Sequence, residues 1–214
     1  MREPVVDGQP AGEPGTSKPP ASHVATLQHS AWVARWIGQP RGHGRLLDFA
    51  SGSGRHARLA LARGFRVLAV DRDRALLDMI ESKDLEARGE DLESGRWSFS
   101  AERFEVIVVT NFLFRPRLDL LAGLLVPGGR LVYETFASGN GAYGKPSNPA
   151  FLLQSDELFT VARRAALQVV AFEHGFVAIP RPALVQRIVA VKPPYDPESL
   201  PLVGPGASRP YSGP

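Results

Sequence analysis

The chain has 214 residues, a formal net charge of +3 and no cysteine. The absence of thiols excludes disulfides, thiolate metal sites and cysteine nucleophiles. Basic residues are scattered, no apolar run reaches the roughly 18 residues of a membrane helix, and no secretory signal is visible. We therefore expect a cytoplasmic globular protein without nucleic-acid or membrane partners.

Both ends of the sequence differ from its middle. Residues 1–21 and 193–214 combine proline, glycine and charged residues without apolar periodicity, which predicts disordered tails. One domain is therefore expected over residues 22–192. At its start, residues 23–37 repeat apolar side chains near helical spacing, which predicts one or two amphipathic helices.

A strand, a glycine turn and a helix follow in that order. Residues 45–50 read as a short apolar strand, 51–54 as a tight turn, and 55–63 as a helix that ends at a glycine. A second apolar strand at 65–70 ends at Asp71. Two apolar strands around a helix predict a βαβ unit with parallel strands and a right-handed crossover.

The remaining elements continue the alternation of helices and strands. Helices are predicted at 72–82, 118–125 and 155–167, the last with Ser155 as its N-cap, and strands at 86–90, 104–109, 130–136, 168–177 and 184–191. Tight spacing makes the last two strands an antiparallel pair. The predicted fold class is α/β: a Rossmann-like, mostly parallel seven-strand sheet with a C-terminal antiparallel strand and helices on both faces. The loop at 137–150 is long enough to suggest a functional role.

The glycine turn predicts a cofactor site. Glycine lets the backbone approach a ligand closely, and the following helix points free N–H groups at it. The carboxylate of Asp71 can accept both hydroxyl hydrogens of a ribose. Residues 52–57 also fit G-x-G-x-x-A, so an NAD(P)-binding oxidoreductase stays an alternative. Three features favour adenosylmethionine: Asp48 would repel a pyrophosphate, the chain is short, and the sheet ends in an antiparallel pair.

The stretch LLDFASGSGRHARLALARGFRVLAVDRD resembles the first two motifs of class I, seven-strand adenosylmethionine-dependent methyltransferases. Asp48, Gly52 and Gly54 match their acidic residue and glycine pattern. Ala50 replaces the first glycine, which is tolerable if its φ is negative. The resemblance spans roughly residues 30–191. The segments TNFLFRP and YETFASGNGAYGKPSNPAFLL are similar to a group of small bacterial methyltransferases of unassigned substrate.

The resemblance implies a role for each matching position of the cofactor site. The methionine part would lie against the backbone of the turn, with a carboxylate near its amino group, and the ribose, adenine and sulfonium would meet later positions. The implied residues, in that order, are Ala50, Gly52, Gly54, Asp48, Asp71, Arg72, Asp91, Leu92 and Thr110. Simpler roles stay open for three of them. Asp48 could fix the glycine turn, Asp71 could cap the next helix, and Asp91 could be an ordinary loop carboxylate.

The implied activity is adenosylmethionine-dependent methyl transfer to a small-molecule acceptor. Glu134, Asn140 and Tyr143 are the expected polar contacts to that acceptor. No metal is expected and no catalytic base is assigned, since the methyl donor is already activated. His56 is expected to face solvent. A protein that binds adenosylmethionine without transferring its methyl group is a further alternative.

Overall fold

The computed structural model describes residues 28–200, in which seven strands form one mixed sheet. The strand order is β3-β2-β1-β4-β5-β7-β6, with β7 antiparallel to both of its neighbours and the other pairs parallel. The strands are β1 Arg45–Phe49, β2 Arg66–Asp71, β3 Leu85–Gly89, β4 Phe104–Thr110, β5 Leu125–Phe136, β6 Gln168–Val177 and β7 Ala183–Val191. The predicted fold class is confirmed.

Helices cover both faces of the sheet because the central strands are apolar on both sides. Leu46 of β1 packs toward α1 Ala31–Trp36 and α2 Arg55–Ala62. The next residue, Leu47, packs on the opposite face with α3 Leu118–Gly123 and α4 Glu157–Arg164. The other central strands alternate in the same way, which fixes their register against both helical layers.

The predicted helix at 72–82 is wrong. This segment contains only a 3₁₀ turn, Arg74–Leu76. Its apolar residues do not form one buried stripe, since Leu77 is fully buried while Met79 is 75% exposed. Leu77 instead packs close to Gly54 of the glycine turn. A long-range contact therefore decides the shape of the segment, and local periodicity does not.

Two predicted element boundaries also need correction. Helix α4 begins at Glu157 with Asp156 as its N-cap residue, so the assignment of the cap to Ser155 is wrong. The Glu157 carboxylate accepts a hydrogen bond from the backbone N–H of Gln154, which fixes the chain before the helix instead. Strand β5 begins at Leu125, so the glycines before residue 130 lie within the strand, beside a register shift against β4.

The described chain packs beyond the expected domain limit at residue 192. Pro197–Ser199 form a 3₁₀ turn, and Leu200 is buried in the core on the face of α1 and α2. The tail at 1–21, the first part of the predicted N-terminal helices and residues 201–214 lie outside the described residues. None of the helices within 28–200 is long and apolar enough to cross a membrane.

Candidate functional site

A cavity of about 500 Å³, here called the first cavity, opens at the carboxyl ends of β1, β2 and β4. The sheet order runs outward from β1 on one side and from β4 on the other, so the cavity lies where the topology reverses. Open α/β sheets bind ligands at such points. Its lining includes Ala50, Ser51, Gly52, Ser53, Arg55, Asp71, Arg72, Glu90, Asp91, Leu92, Thr110, Asn111, Phe112, Leu113, Phe136, Pro146 and Phe151.

The two glycines of the turn have different surroundings. Gly52 has φ +53, and a Cβ added there would meet nothing within 4 Å, so its backbone borders open space. Gly54 has φ +70, and its Cβ would lie 2.5 Å from Cδ1 of Ile80. Gly54 therefore allows close packing and does not line the first cavity. Ala50 does line it, but its φ is +59, so the condition of a negative φ, under which alanine would be tolerated there, is not met.

Asp71 holds the glycine turn as well as lining the first cavity. Its Oδ2 accepts a hydrogen bond of 2.7 Å from the backbone N–H of Gly52, and its Oδ1 accepts one of 3.1 Å from that of Asp73. Each carboxylate oxygen keeps a further lone pair for a ligand hydroxyl. The helix that Asp71 could have capped is absent, and its carboxylate holds the glycine turn and the chain after β2 instead, while leaving the implied contact to a ribose possible. Arg72 is exposed beside Asp71.

Asp91 and Leu92 enter the first cavity from the loop after β3. The exposed Asp91 carboxylate accepts hydrogen bonds from the Glu93 backbone N–H and the Ser94 hydroxyl, and the first of these is the main cause of its lowered pKa. Buried Arg117 donates to the carbonyls of Ser94 and Gly95. This arginine therefore holds the loop that carries Asp91.

Asp48 lies apart from the first cavity. Its side chain is 1% exposed on the face that α2 covers, and neither carboxylate oxygen completes a hydrogen bond. Burial raises its pKa to about 7, against smaller opposing effects of the Ala57 backbone N–H and the Arg55 charge. The Ala57 amide favours the charged form without reaching hydrogen-bond geometry. Contact between Asp48 and a methionine amino group would therefore need an intervening group.

The expectation that His56 faces solvent is wrong, because its side chain is 1% exposed. Its Nε2 accepts a 3.1 Å hydrogen bond from the backbone N–H of Ser30. The ring proton of the neutral imidazole is then on Nδ1, which donates to Oγ1 of Thr110 at 3.3 Å. Burial, with the nearby Arg55 charge, lowers the His56 pKa to about 3. His56 lies on the same buried face of α2 as Ala57 and Ala60, and this helical spacing could have predicted its burial from the sequence.

Two further residues of the first cavity were not foreseen from the sequence. Ser51 is 7% exposed, and its hydroxyl has no hydrogen-bond partner among the described residues. Asn111 follows β4 with φ +54, a left-handed conformation that is uncommon outside glycine and is enriched at functional sites. Its backbone N–H donates to the carbonyl of Glu134, which places the residue between the ends of β4 and β5.

The three expected acceptor contacts occupy different environments. Glu134 forms an ion pair with Arg187, 3.2 Å between Oε2 and Nη1, and lines a neighbouring cavity. Asn140 is 1% exposed and bridges the loop to β7, since its amide donates to the Pro146 carbonyl and accepts from the Leu184 N–H. Tyr143 is 46% exposed, and its ring packs against Phe176. Neither Asn140 nor Tyr143 lines either cavity.

The neighbouring cavity, here called the second cavity, has a volume of about 240 Å³. It shares Arg55, Asn111 and Phe136 with the first cavity, so the two adjoin. Its other walls come from the residues before and within α1 and from the ends of β5, β6 and β7. They are Gln28, His29, Ser30, Ala31, Glu134, Val177, Ile179, Pro180, Arg181, Ala183, Val185 and Arg187.

No protein-family model matches this sequence, and no curated protein matches it significantly. Solved structures do. A methyltransferase from Methanosarcina mazei described as SAM-dependent is 14% identical with a TM-score of 0.57, over 77% of this chain and 98% of its own. TehB from Haemophilus influenzae is 16% identical with a TM-score of 0.54, over 69% of this chain, which thus spans only 57% of TehB.

A third similar structure carries ligands. The 1,6-didemethyltoxoflavin-N1-methyltransferase of Burkholderia thailandensis, with bound 1,6-didemethyltoxoflavin and S-adenosylhomocysteine, is 22% identical with a TM-score of 0.53. The likeness covers 74% of this chain and 72% of that enzyme. At these identities, the comparisons show that the chain has the Rossmann-like fold of these methyltransferases.

Proposed function

We propose that the protein is an adenosylmethionine-dependent methyltransferase with a small-molecule acceptor. The main support is the position of the first cavity, which lies beside the glycine turn where the strand order of a methyltransferase-like sheet reverses. The ligands in the toxoflavin methyltransferase support both the cofactor class and a small acceptor. We further propose a cytoplasmic location, which the cysteine-free composition supports.

The residues of the first cavity fit this cofactor. The open space beside Gly52 lets a ligand approach the backbone, and the unpartnered Ser51 hydroxyl offers a buried polar contact. Asp71 would accept hydrogen bonds from the ribose hydroxyls, while Asp91 and Leu92 would border the adenine. Ala50 would border the methionine part. Asp48 lies outside the cavity and would not contact the cofactor directly.

Bound adenosylmethionine supplies a methyl group on a positively charged sulfur, which an acceptor's lone pair can attack to leave adenosylhomocysteine. The contribution of the protein is then to align the acceptor and to exclude water. Phe112, Leu113 and Phe136 give the first cavity apolar walls. Thr110 is fixed at the end of β4 by His56. The second cavity adjoins these residues and would hold the acceptor.

The sheet topology speaks against the oxidoreductase alternative. Dinucleotide-binding folds use two parallel halves in the order 3-2-1-4-5-6, and the second half binds the second nucleotide. Here the strand next to β5 is β7, which is antiparallel to it. The parallel strand that would complete the second half is missing from the described sheet.

The test is isothermal titration of the purified protein with adenosylhomocysteine, with NAD titrated in parallel. We expect a dissociation constant on the order of micromolar for adenosylhomocysteine and no heat of binding for NAD. Binding of NAD alone would overturn the proposal. Acceptor screening with methyl-labelled adenosylmethionine then separates an enzyme from a protein that only binds the cofactor.

A further inference from the structure

The second cavity has an uneven balance of charge. Three arginines, Arg55, Arg181 and Arg187, line it together with one acidic residue, Glu134. Arg187 pairs with two carboxylates, Glu134 on one side and Glu173 on the other, both at 3.2 Å, so these three side chains together carry one net negative charge. Arg55 and Arg181 carry the other two positive charges, so the five side chains have a net positive charge of one.

Neither of these two arginines forms an ion pair within the described residues. Arg55 donates one 3.3 Å hydrogen bond to the backbone carbonyl of Gln28, and Arg181 donates one of 3.4 Å to that of Lys145. Both contacts are long, and a guanidinium has five N–H donors. The carboxylates whose charges act on Arg55 are Glu134, which also pairs with Arg187, and Asp48, which is buried on the α2 face. Several donors are therefore left for a ligand.

The rest of the wall is apolar. Phe136, Val177, Ile179 and Val185 face the second cavity, and Ile179 is 83% exposed. The guanidinium of Arg181 lies 5.4 Å from the ring centroid of Phe136, which keeps the charge beside an apolar surface. A ligand for such a cavity combines an apolar body with an anionic group that arginine can hold through paired hydrogen bonds.

We propose that the second cavity binds the methyl acceptor, and that this acceptor is a small molecule with an apolar body and a carboxylate or similar oxyanion held by Arg55 and Arg181. That the ligand is a methyl acceptor rests on the proposed function. The preference of the second cavity for an anion does not depend on it. The volume of about 240 Å³ limits the ligand to a small ring or short chain.

The test uses three probes of equal shape and different charge: benzoate, benzamide and benzamidine. Each is titrated calorimetrically into the protein, both alone and saturated with adenosylhomocysteine. We expect benzoate to bind at least about tenfold more tightly than the neutral and cationic probes, because only the anion pairs with arginine. Equal binding of all three, or a preference for benzamidine, would overturn the inference.

Two variants locate the effect. Arg181→Gln and Arg55→Gln should each weaken benzoate about tenfold and leave benzamide unchanged. Arg163→Gln, at an exposed arginine of α4, is the matched control and should change nothing. A loss of benzoate affinity that is equal in the control would contradict a site at the second cavity.

Arg55 also lines the first cavity, so its anion could be the carboxylate of the cofactor. Adenosylhomocysteine and methylthioadenosine, which lacks the amino-acid part, separate the two sources. We expect Arg55→Gln to change both affinities by the same factor. A loss confined to adenosylhomocysteine, with benzoate binding intact, would overturn the assignment of Arg55 to the acceptor.

The two proposals fail in different ways. If adenosylhomocysteine binds and benzoate shows no preference, the inference is wrong and the proposed function stands. If adenosylhomocysteine does not bind, the proposed function is wrong. The benzoate series on the free protein then still decides whether the second cavity prefers anions.

Discussion

Two buried groups, Asp48 and His56, should make opposite contributions to stability as pH changes. Folding raises the Asp48 pKa from 3.8 to about 7, so the folded protein keeps a proton that the unfolded chain has lost. This contribution to stability falls as pH rises from about 4 to 7. Folding lowers the His56 pKa from 6.5 to about 3, so the unfolded chain binds the proton first. That contribution falls as pH drops from 6.5 toward 3.

The two effects nearly cancel between pH 7 and pH 5. Each pKa unit corresponds to about 1.4 kcal/mol, so acidification over this range gains about 2 kcal/mol at Asp48 and loses about 2 kcal/mol at His56. Replacing one of the two side chains should therefore reveal the pH dependence of stability that comes from the other. Relative to wild type, Asp48→Asn should lose about 2 kcal/mol of stability on going from pH 7 to pH 5, and His56→Gln should gain about as much.

Urea unfolding of the three proteins at pH 7 and pH 5 measures these differences. Each variant is compared with wild type at the same pH, so the many carboxylates that they share cancel. A stability difference between Asp48→Asn and wild type that is the same at both pH values would refute the account of Asp48. The same result for His56→Gln would refute a neutral, buried His56.

Three further predictions concern the glycine turn and the loop at 137–150. Ala50→Gly should raise the free energy of unfolding by about 0.5–1 kcal/mol, because Ala50 has a φ of +59. Ala166→Gly, at φ +54 and outside both cavities, should give a similar increase. An unchanged midpoint of urea unfolding would contradict strain from the left-handed conformation. Asp71→Ala should weaken adenosylhomocysteine by about 1–3 kcal/mol in calorimetry, and wild-type affinity would remove Asp71 from the site. Asn140→Ala should lower the free energy of unfolding by about 1–3 kcal/mol, since the Leu184 N–H and the Pro146 carbonyl lose their hydrogen-bond partner. A loss below about 0.5 kcal/mol in urea unfolding would argue against a bridge from Asn140 to β7.

The strands could be predicted from the sequence because their pattern is local. β4 and β7 are apolar and β-branched, and the predicted limits differ from the observed ones by a residue at one end. The segment 72–82 has apolar residues at helical spacing, yet contact with Gly54 shapes it. Such a contact joins residues more than twenty positions apart, which no local period can reveal.

The first cavity was predictable for a similar reason. Its turn and Asp71 belong to one βαβ unit, so the residues that define it are neighbours in sequence. The second cavity draws on residues near 30, 55, 111, 135 and 180, which only the folded sheet brings together. The loop at 137–150 was expected to contact an acceptor, but Asn140 holds it to β7, and only Pro146 reaches the first cavity.

The central claim is that adenosylmethionine binds against the backbone at Gly52. Gly52→Leu tests it most directly when compared with Gly128→Leu, because both glycines have positive φ, are half-buried and have no atom within 3.5 Å of an added Cβ. Gly128 lies near the other end of the sheet, before the part of β5 that pairs in register with β4. Calorimetric titration with adenosylhomocysteine should show binding abolished in Gly52→Leu and retained in Gly128→Leu. Equal affinities in the two folded variants would contradict a cofactor site at this turn.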